Sequence, residues 1–197
     1  MSTFTKGISM FLLSILIMAL LITTVLGFML GLSHPLPWVL ITLLILIPYI
    51  HEKILSRDYL KWDASMDTGI ELIDNDHKKL LALINQLQNA TQYNVDEHII
   101  DQIMDDLINY TKYHFEREEF LMHNNEYPDY SNHKQLHKNM IDKMSDCIIK
   151  YKSNPEHTID DALNFLKSWL INHIKGEDKK YIPFMKNTDL NGHEHRI

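Results

Sequence analysis

Charged residues are almost absent from the first quarter of this chain. The sequence has 197 residues, yet no Asp, Glu, Lys or Arg occurs between Lys6 and Glu52. Cationic residues are also scarce overall, because 19 Lys and Arg stand against 26 Asp and Glu, which gives a formal net charge of −7. That balance argues against a nucleic-acid backbone as partner, since such binding depends on clustered Lys and Arg.

Cysteine and strand-forming patterns are scarce as well. Cys147 is the only cysteine, so no intramolecular disulfide can form, and the soluble part fits a reducing compartment. We interpret Cys147 as a small buried apolar side chain. The sequence shows no strand pattern, no internal repeat and no low-complexity segment. We therefore expect an all-α protein.

Two apolar runs occupy the charge-free stretch. The first, Ile8 to Leu32, has 25 residues and as a helix would exceed the roughly 30 Å hydrocarbon core of a bilayer. The second, Leu36 to Ile50, has 15 residues and is short for a full crossing unless it extends to residue 52. We interpret them as a transmembrane helical hairpin with spans at about 8–32 and 36–52. A secretory signal peptide is the rival interpretation, but the first run is too long for one and has no clear cleavage pattern.

Basic residues that flank the runs predict the side of the membrane. Lys6 precedes the first run, three Lys or Arg residues follow the second between positions 53 and 61, and the connecting turn has none. The positive-inside rule then places both ends in the cytoplasm. We expect a two-span protein of the cell inner membrane, with an anchor and linker at 1–57 and a cytoplasmic domain at 58–197. If the second run lies only in the interface, the domain faces outward instead.

Four amphipathic helices are predicted in the soluble part. Apolar residues recur there at steps of three and four, over about 74–93, 94–121, 131–151 and 158–176. Asn94 and Thr158 each begin a capping-box pattern, with a carboxylate three residues later. Gly176 is expected to end or bend the fourth helix. Because the connections are short, the natural architecture is an antiparallel, up-down four-helix bundle.

Histidines and carboxylates recur on these helices at spacings that suit metal binding. His114 and Glu118 are four residues apart, and so are His133 and His137, which puts each pair on one helical face. His77 lies on the apolar stripe of the first helix. Taken singly, each of these residues would be interpreted as part of an exposed polar face.

The fourth helix adds His173 and Asp178, which are five residues apart and so about 140° around an ideal helix. A bend at Gly176 would bring both inward. The complete set holds five imidazoles and two carboxylates: His77, His114, Glu118, His133, His137, His173 and Asp178. These are too many ligands for one zinc ion, which usually takes four, and they suit two metal ions. Bridging carboxylates with terminal imidazoles favour iron or manganese.

At these residues the chain resembles the hemerythrin family, specifically the single-domain bacterial hemerythrins. The match extends from about Trp62 to Met185 and no ligand position departs from the family pattern. Four stretches carry the resemblance: Ile73-Asp74-x-x-His77, His114-Phe-x-x-Glu118-Glu119, His133-x-x-x-His137 and Trp169-x-x-x-His173-Ile174-x-x-x-Asp178-Lys179. Together they are highly specific.

The resemblance implies a non-heme di-iron centre with an oxo or hydroxo bridge. By the same resemblance, one iron is held by three histidines and the other by two: His133, His137 and His173 for the first, His77 and His114 for the second. Glu118 and Asp178 would bridge the irons. An open position on the iron with two histidines would then bind dioxygen reversibly.

Four apolar residues adjacent to these ligands are the expected wall of the oxygen pocket: Phe115, Trp169, Leu170 and Ile174. A dry wall without an acid or base stabilises bound dioxygen without assisting its further cleavage. Each residue could equally belong to the ordinary core of the bundle.

The sequence favours a membrane-tethered oxygen-binding protein whose partners are dioxygen and membrane lipid. Such a protein would store dioxygen, deliver it to a membrane oxidase or oxygenase, or sense it. The alternative is a di-iron enzyme that acts on peroxide or nitric oxide, or an iron oxidase. Ferritin-type oxidases use Glu-rich sites with Glu-x-x-His motifs, which this set lacks. A third interpretation is a bundle that its metal only stabilises, which would leave the open position without a purpose.

Overall fold

The structure of this chain is a computed structural model in which every regular element is helical. It describes four ranges of the chain: 3–55, 58–93, 95–153 and 155–185. No strand occurs within those ranges, which confirms the all-α prediction. The chain divides into two compact units, Met1–Tyr59 and Leu60–Ile197, and each is described separately.

The first unit is a pair of contacting helices, α1 (Thr3–Phe28) and α2 (Pro35–Leu55). Phe28 and Trp38 meet edge to face with ring centroids 6.0 Å apart. The indole nitrogen of Trp38 donates a hydrogen bond to the carbonyl of Leu32 at 3.1 Å. These contacts fix the short turn between the helices. At 21 residues, α2 is longer than the 15-residue apolar run from which it was predicted.

Both helices of this unit meet the length and composition expected of a membrane span. The apolar windows are Phe11–Phe28, of 18 residues, and Pro35–Lys53, of 19 residues. Only 11% of the first window and 6% of the second are buried, which differs from the core helix of a soluble protein. A signal sequence near the amino terminus can meet the same criterion, so length and composition show only that the helices could span.

The second unit is a four-helix bundle. Its four long helices are α3 (Glu71–Gln92), α4 (Glu97–Asn124), α5 (Tyr130–Ser153) and α6 (Pro155–Asn172). Each of them contacts the next, and α6 also packs on α3, which closes the bundle. A π-helical turn, His173–Asp178, continues α6 directly, and the short helix α7 (Lys179–Tyr181) follows.

A hydrogen-bonded turn fixes the beginning of α3. The carboxylate of Asp74 accepts hydrogen bonds from both the backbone N–H and the hydroxyl of Thr68, each at 2.8 Å. Gly69 between them has a φ of 75°, in the left-handed region that favours glycine. As a result α3 begins at Glu71, three residues before the predicted start. The buried hydrogen bonds of Asp74 lie one turn before His77 and fix the position of that turn in the bundle.

The beginnings of two other helices differ from the predicted capping boxes. Asp96 caps α4, and its side chain accepts a hydrogen bond from the backbone N–H of His98 at 2.8 Å. Asn94, the predicted cap, lies outside the described residues. The prediction for Thr158 was wrong, because α6 begins at Pro155 and Thr158 lies within it. Proline suits the first turn of a helix, where its missing N–H would have no partner.

Apolar side chains from all four helices fill the middle of the bundle. A second apolar cluster lies at the end where α3 begins and α4 ends, and includes Ile73, Met122 and Tyr181, each fully buried. The lone cysteine, Cys147, is partly exposed rather than buried. The histidine-bearing turns of the helices therefore lie between two apolar layers.

Candidate metal centre

All seven side chains predicted as metal ligands lie inside the bundle. The helix α3 provides His77, α4 provides His114 and Glu118, α5 provides His133 and His137, and the π-helical turn provides His173 and Asp178. None is more than 5% exposed. Their convergence from four elements is what a bundle-core metal site requires.

The first group of potential ligands consists of His77, His114 and Glu118, whose donor atoms all lie within 4.8 Å of one another. The Nε2 atom of His77 is 3.7 Å from Glu118 Oε1, and that of His114 is 3.4 Å from Glu118 Oε2. Both imidazoles thus present the same ring nitrogen to one carboxylate.

The second group consists of Glu118, His133, His137 and His173, again with all donor atoms within 4.8 Å. The Nε2 atoms of His137 and His173 are 3.0 Å apart. His137 Nε2 also lies 3.3 Å from Glu118 Oε2. This group therefore offers three imidazoles where the first offers two.

Two carboxylates face both groups. Glu118 belongs to each, as its distances show. Asp178 Oδ2 lies 3.2 Å from His77 Nε2, whereas its Oδ1 lies 3.1 Å from His173 Nε2 and 3.5 Å from His133 Nε2. Each carboxylate is therefore placed to bridge two cations.

The site contains buried polar atoms without hydrogen-bond partners. Among the described residues these include both ring nitrogens of His77 and His114, Nε2 of His133, Oε2 of Glu118 and both carboxylate oxygens of Asp178. Leaving such groups buried and unpaired is costly. Metal coordination would satisfy all of the inward-facing atoms, so the residues present fit a metal centre.

Burial shifts the pKa of several groups in the metal-free site. Burial, together with the charge of His137, lowers the pKa of His133 to about 4. Burial and the negative charge of Glu118 raise the pKa of Asp178 to about 7. Burial opposes the charged form of His77, but the adjacent carboxylates of Asp178 and Glu118 outweigh it and raise its pKa to about 9. A metal ion that binds here must displace that proton.

The π-helical turn explains how His173 and Asp178 reach one site. A π-helix bonds residue i to residue i+5, so residues five apart lie about one turn apart instead of 140° apart. Gly176 lies within this turn, at the position where the sequence predicted an end or a bend. The backbone instead continues as a wider turn, in which Ile174 is fully buried.

Two of the four residues predicted to form the oxygen pocket stack on histidines of the second group of potential ligands. Phe115 stacks on His137, with ring centroids 3.7 Å apart and planes 2° apart, and Trp169 stacks on His173 at 4.2 Å. Phe115, Trp169 and Leu170 help to line an apolar cavity of about 20 Å³. Ile174 is not among the residues that line it.

Tyr181 is a residue of the site that reasoning from the sequence missed. Tyr181, which is fully buried, donates a hydrogen bond from its hydroxyl to Glu118 Oε1 at 2.6 Å. Its ring also meets that of His133 edge to face at 5.8 Å. The sequence could have indicated this residue, because a tyrosine three residues after Asp178 lies near the site. A buried tyrosine hydroxyl also needs a hydrogen-bond partner.

Comparison with known proteins finds hemerythrin relatives over the length of the bundle. Residues 68–185 match the family described as "Hemerythrin HHE cation binding domain". A bacteriohemerythrin of Pseudomonas aeruginosa is 32% identical over 130 residues, which cover 66% of this chain and 84% of that protein. A bacteriohemerythrin of Methylococcus capsulatus is 30% identical over 125 residues, or 63% of this chain and 95% of that protein.

A solved structure agrees with these relatives. The crystal structure of wild-type hemerythrin aligns with a TM-score of 0.59 at 29% identity, covering 65% of this chain and 98% of that chain. The similarity lies in the fold as well as in the sequence, and the family match alone spans more than half of the chain. The chain therefore belongs to the hemerythrin family, and the seven clustered side chains lie in the part of the chain that matches that family's cation-binding domain.

Proposed function

We propose that this protein is a membrane-tethered di-iron protein that binds dioxygen reversibly. The observation that carries the proposal is the pair of overlapping ligand groups that share Glu118. The group of His133, His137 and His173 has three imidazoles and that of His77 and His114 has two, so a metal ion held by the two imidazoles would keep a coordination position free. Reversible binding of a small exogenous ligand needs such a position.

Two ions are favoured over one by the number and placement of the ligands. Glu118 and Asp178 each direct their two oxygens toward different histidines, as bridging carboxylates do. Imidazole and carboxylate ligands suit iron, and the chain's relatives are named as bacteriohemerythrins. When bound, the two irons would supply the electrons that dioxygen binding requires.

The protein's own contribution is to hold the ligands and to exclude water. The aromatic rings of Phe115 and Trp169 cover one side of the site, and Leu170 extends the apolar wall. No acidic or basic side chain is among the residues that line the apolar cavity beside these rings, within the described part of the chain. Such surroundings favour binding over further cleavage of dioxygen, because cleavage needs a proton donor.

The membrane tether is supported by the exposed apolar surface of α1 and α2. Large side chains such as Phe11, Val25 and Ile45 are each about two-thirds exposed. Soluble proteins rarely leave a continuous apolar surface of this kind in water. With basic residues beyond both ends of the hairpin, we place the bundle in the cytoplasm, at the inner membrane of the cell.

A membrane location defines the partners that we propose. Lipid surrounds the hairpin, and dioxygen, which dissolves well in bilayers, is the ligand of the bundle. Storage of dioxygen beside the membrane, its delivery to a membrane oxidase or oxygenase, and oxygen sensing are all compatible with this arrangement.

The decisive experiment loads the full-length protein, purified in detergent, with iron under anaerobic conditions. Two irons per chain and a visible absorption band that appears with oxygen and disappears under vacuum would support the proposal. Glu118→Ala should lose both properties, because it removes a ligand shared by the two groups. The surface variant Glu97→Ala, a first-turn residue of α4, is the matched control.

Irreversible oxidation of the loaded protein would count against a carrier. Steady-state turnover of peroxide or nitric oxide that is lost in Glu118→Ala would assign the protein to the enzymes. The tether is tested separately, by asking whether the full-length protein stays with cell membranes after alkaline carbonate extraction while a variant without residues 3–55 does not. Release of the full-length protein would refute the tether without affecting the di-iron proposal.

A further inference from the structure

Two histidines of the centre turn their outer ring nitrogens toward carboxylates that are not themselves ligands. His114 and His137 both direct Nε2 toward Glu118, at 3.4 and 3.3 Å. On the opposite side of each ring, His114 Nδ1 lies 3.5 Å from Asp76 Oδ2, and His137 Nδ1 lies 3.2 Å from Glu119 Oε1. The two imidazoles are thus oriented alike, although one comes from α4 and the other from α5.

Each of these outer carboxylates is in turn held by a cation from the chain. Arg117 Nη1 lies 2.6 Å from Asp76 Oδ2, and Lys134 Nζ lies 2.8 Å from Glu119 Oε2. The hydroxyl of Tyr110 also donates to Asp76 Oδ1 at 2.7 Å. The same series, a cation, then a carboxylate, then an imidazole, therefore occurs twice, once beside each group of potential ligands.

The two arrangements differ in their access to water. The side chains of Asp76 and Arg117 are 4% and 10% exposed, whereas those of Glu119 and Lys134 are 17% and 55% exposed. Burying a charged pair stabilises a fold little, because desolvation offsets most of the attraction. The link that Asp76 and Arg117 make between α3 and α4 therefore explains their burial poorly. The contact of Asp76 with His114 explains it better.

His77 shows that such a partner is not an automatic consequence of burial. Among the described residues, only the carboxylates of Glu118 and Asp178 lie within 4.0 Å of its ring nitrogens, and both approach Nε2, although the side chain is fully buried. Its outer face is covered instead by Trp62, whose ring lies 6.4 Å away. Outer carboxylates are therefore a specific feature of His114 and His137.

We infer that Asp76 and Glu119 are positioning residues that hold the imidazoles of His114 and His137 with Nε2 directed at the metals. A carboxylate behind Nδ1 favours the tautomer that carries its proton there, which leaves the Nε2 lone pair free for a metal ion. It also makes the imidazole a stronger donor. Arg117 and Lys134 keep the carboxylates in place. The inference rests on the ligand roles of His114 and His137 in the proposed function.

The test compares metal affinity in Asp76→Asn and Glu119→Gln variants of the full-length protein in detergent. Ferrous iron is titrated anaerobically against a competing chelator. Loss of an outer partner typically weakens metal binding about 10- to 100-fold. We expect a weakening of this size for one of the two ions in each variant, and for both ions in the double variant. Asp63→Asn is the control, since Asp63 pairs with Lys175 at 2.9 Å on the surface.

A second measurement separates positioning from a merely structural role. In zinc-loaded protein labelled with ¹⁵N-histidine, Asp76→Asn should shift the Nδ1–H signal of His114 and leave that of His137 unchanged. Glu119→Gln should do the opposite. A purely structural contact would lower thermal stability without moving either signal.

Milder variants keep the inference testable if a charge change prevents folding. Tyr110→Phe removes one hydrogen bond to Asp76, and Lys134→Met removes the cation from Glu119. Each should weaken iron binding in the same direction but less. Affinities within twofold of wild type, with unmoved Nδ1–H signals, would overturn the inference while leaving the proposed function intact. A wild-type protein that takes up no metal would overturn both.

Discussion

The hydrogen bond from Tyr181 to Glu118 leads to a quantitative prediction for Tyr181→Phe. Both side chains are fully buried, and the hydroxyl and Glu118 Oε1 are 2.6 Å apart. Burial opposes ionisation of Glu118, yet the charge of His114 and contacts with His137 and His77 hold the pKa of its carboxyl well below the usual range. The acceptor is therefore charged at neutral pH, and a hydrogen bond to a charged group contributes about 1.5–3 kcal/mol.

Phenylalanine keeps the ring of Tyr181 and so keeps its packing against Tyr127 and His133. The loss should therefore reflect the hydrogen bond alone, and a bundle of this size should melt roughly 5–10 °C lower. Thermal unfolding of the metal-free, full-length protein in detergent, followed by circular dichroism, measures it. Tyr93→Phe, which removes the same atom from a half-exposed side chain, is the control.

A Tm within about 2 °C of wild type would refute this reasoning. It would mean that Glu118 Oε1 finds another donor of equal strength once the hydroxyl is gone. The nearest other donor is Nε2 of His77, at 3.7 Å, which is too far for a hydrogen bond unless the imidazole moves.

Three further predictions concern the ligands and the π-helical turn. Iron uptake should strengthen as pH rises toward about 9 and then level off, because metal binding displaces the proton of His77, whose pKa is raised to about 9; proton release during anaerobic iron titration at several pH values measures this. His77→Ala should chiefly impair oxygen binding and His137→Ala should lower iron occupancy, so equal iron content with an unchanged oxygen-dependent spectrum would contradict the assigned roles. Gly176→Ala should still bind metal, and its free energy of unfolding should rise by about 0.5–1 kcal/mol, since an added Cβ meets no atom of a neighbouring element within 4 Å. Loss of metal binding in this variant would show that the turn needs glycine.

The positions of the potential ligands could be predicted from sequence because each depends on local periodicity. A four-residue step places His114 and Glu118 on one face whatever the rest of the chain does. The apolar residues around each histidine then indicate that this face is buried. The structure brings all seven side chains together, and their roles as ligands stay a prediction until metal is bound.

Helix ends were harder to predict because several residues compete to cap them. The segment before α4 contains both Asn94 and Asp96, each a good cap, and the structure uses Asp96. The helix α6 begins at Pro155, so Thr158 lies inside it and caps no helix end. Local propensity identifies the candidates, and tertiary packing selects among them.

Contacts behind the ligands could not be read from periodicity at all. Asp76 and Arg117 lie on different helices, and their pairing depends on how α3 and α4 are rotated against each other. The same holds for Glu119 and Lys134, which join α4 to α5. A sequence gives the spacing within a helix, but it gives no rotation between helices, so such pairs emerge only once the bundle is assembled.

The π-helical turn shows how backbone geometry can replace a missing sequence spacing. Two of the ligand pairs achieve a common face with a four-residue step in ordinary α-helix, at His114 with Glu118 and at His133 with His137. His173 and Asp178 have one residue more between them, and an α-helix would turn one of them away from the centre. Widening a single turn absorbs that residue, and it brings Asp178 to within 3.2 Å of His77 on the opposite side of the site. The five-residue spacing indicated that some departure from the α-helix was needed. Burial of both side chains favours the π turn over a bend. A helix that ended at Gly176 would leave backbone groups beside the site without hydrogen-bond partners.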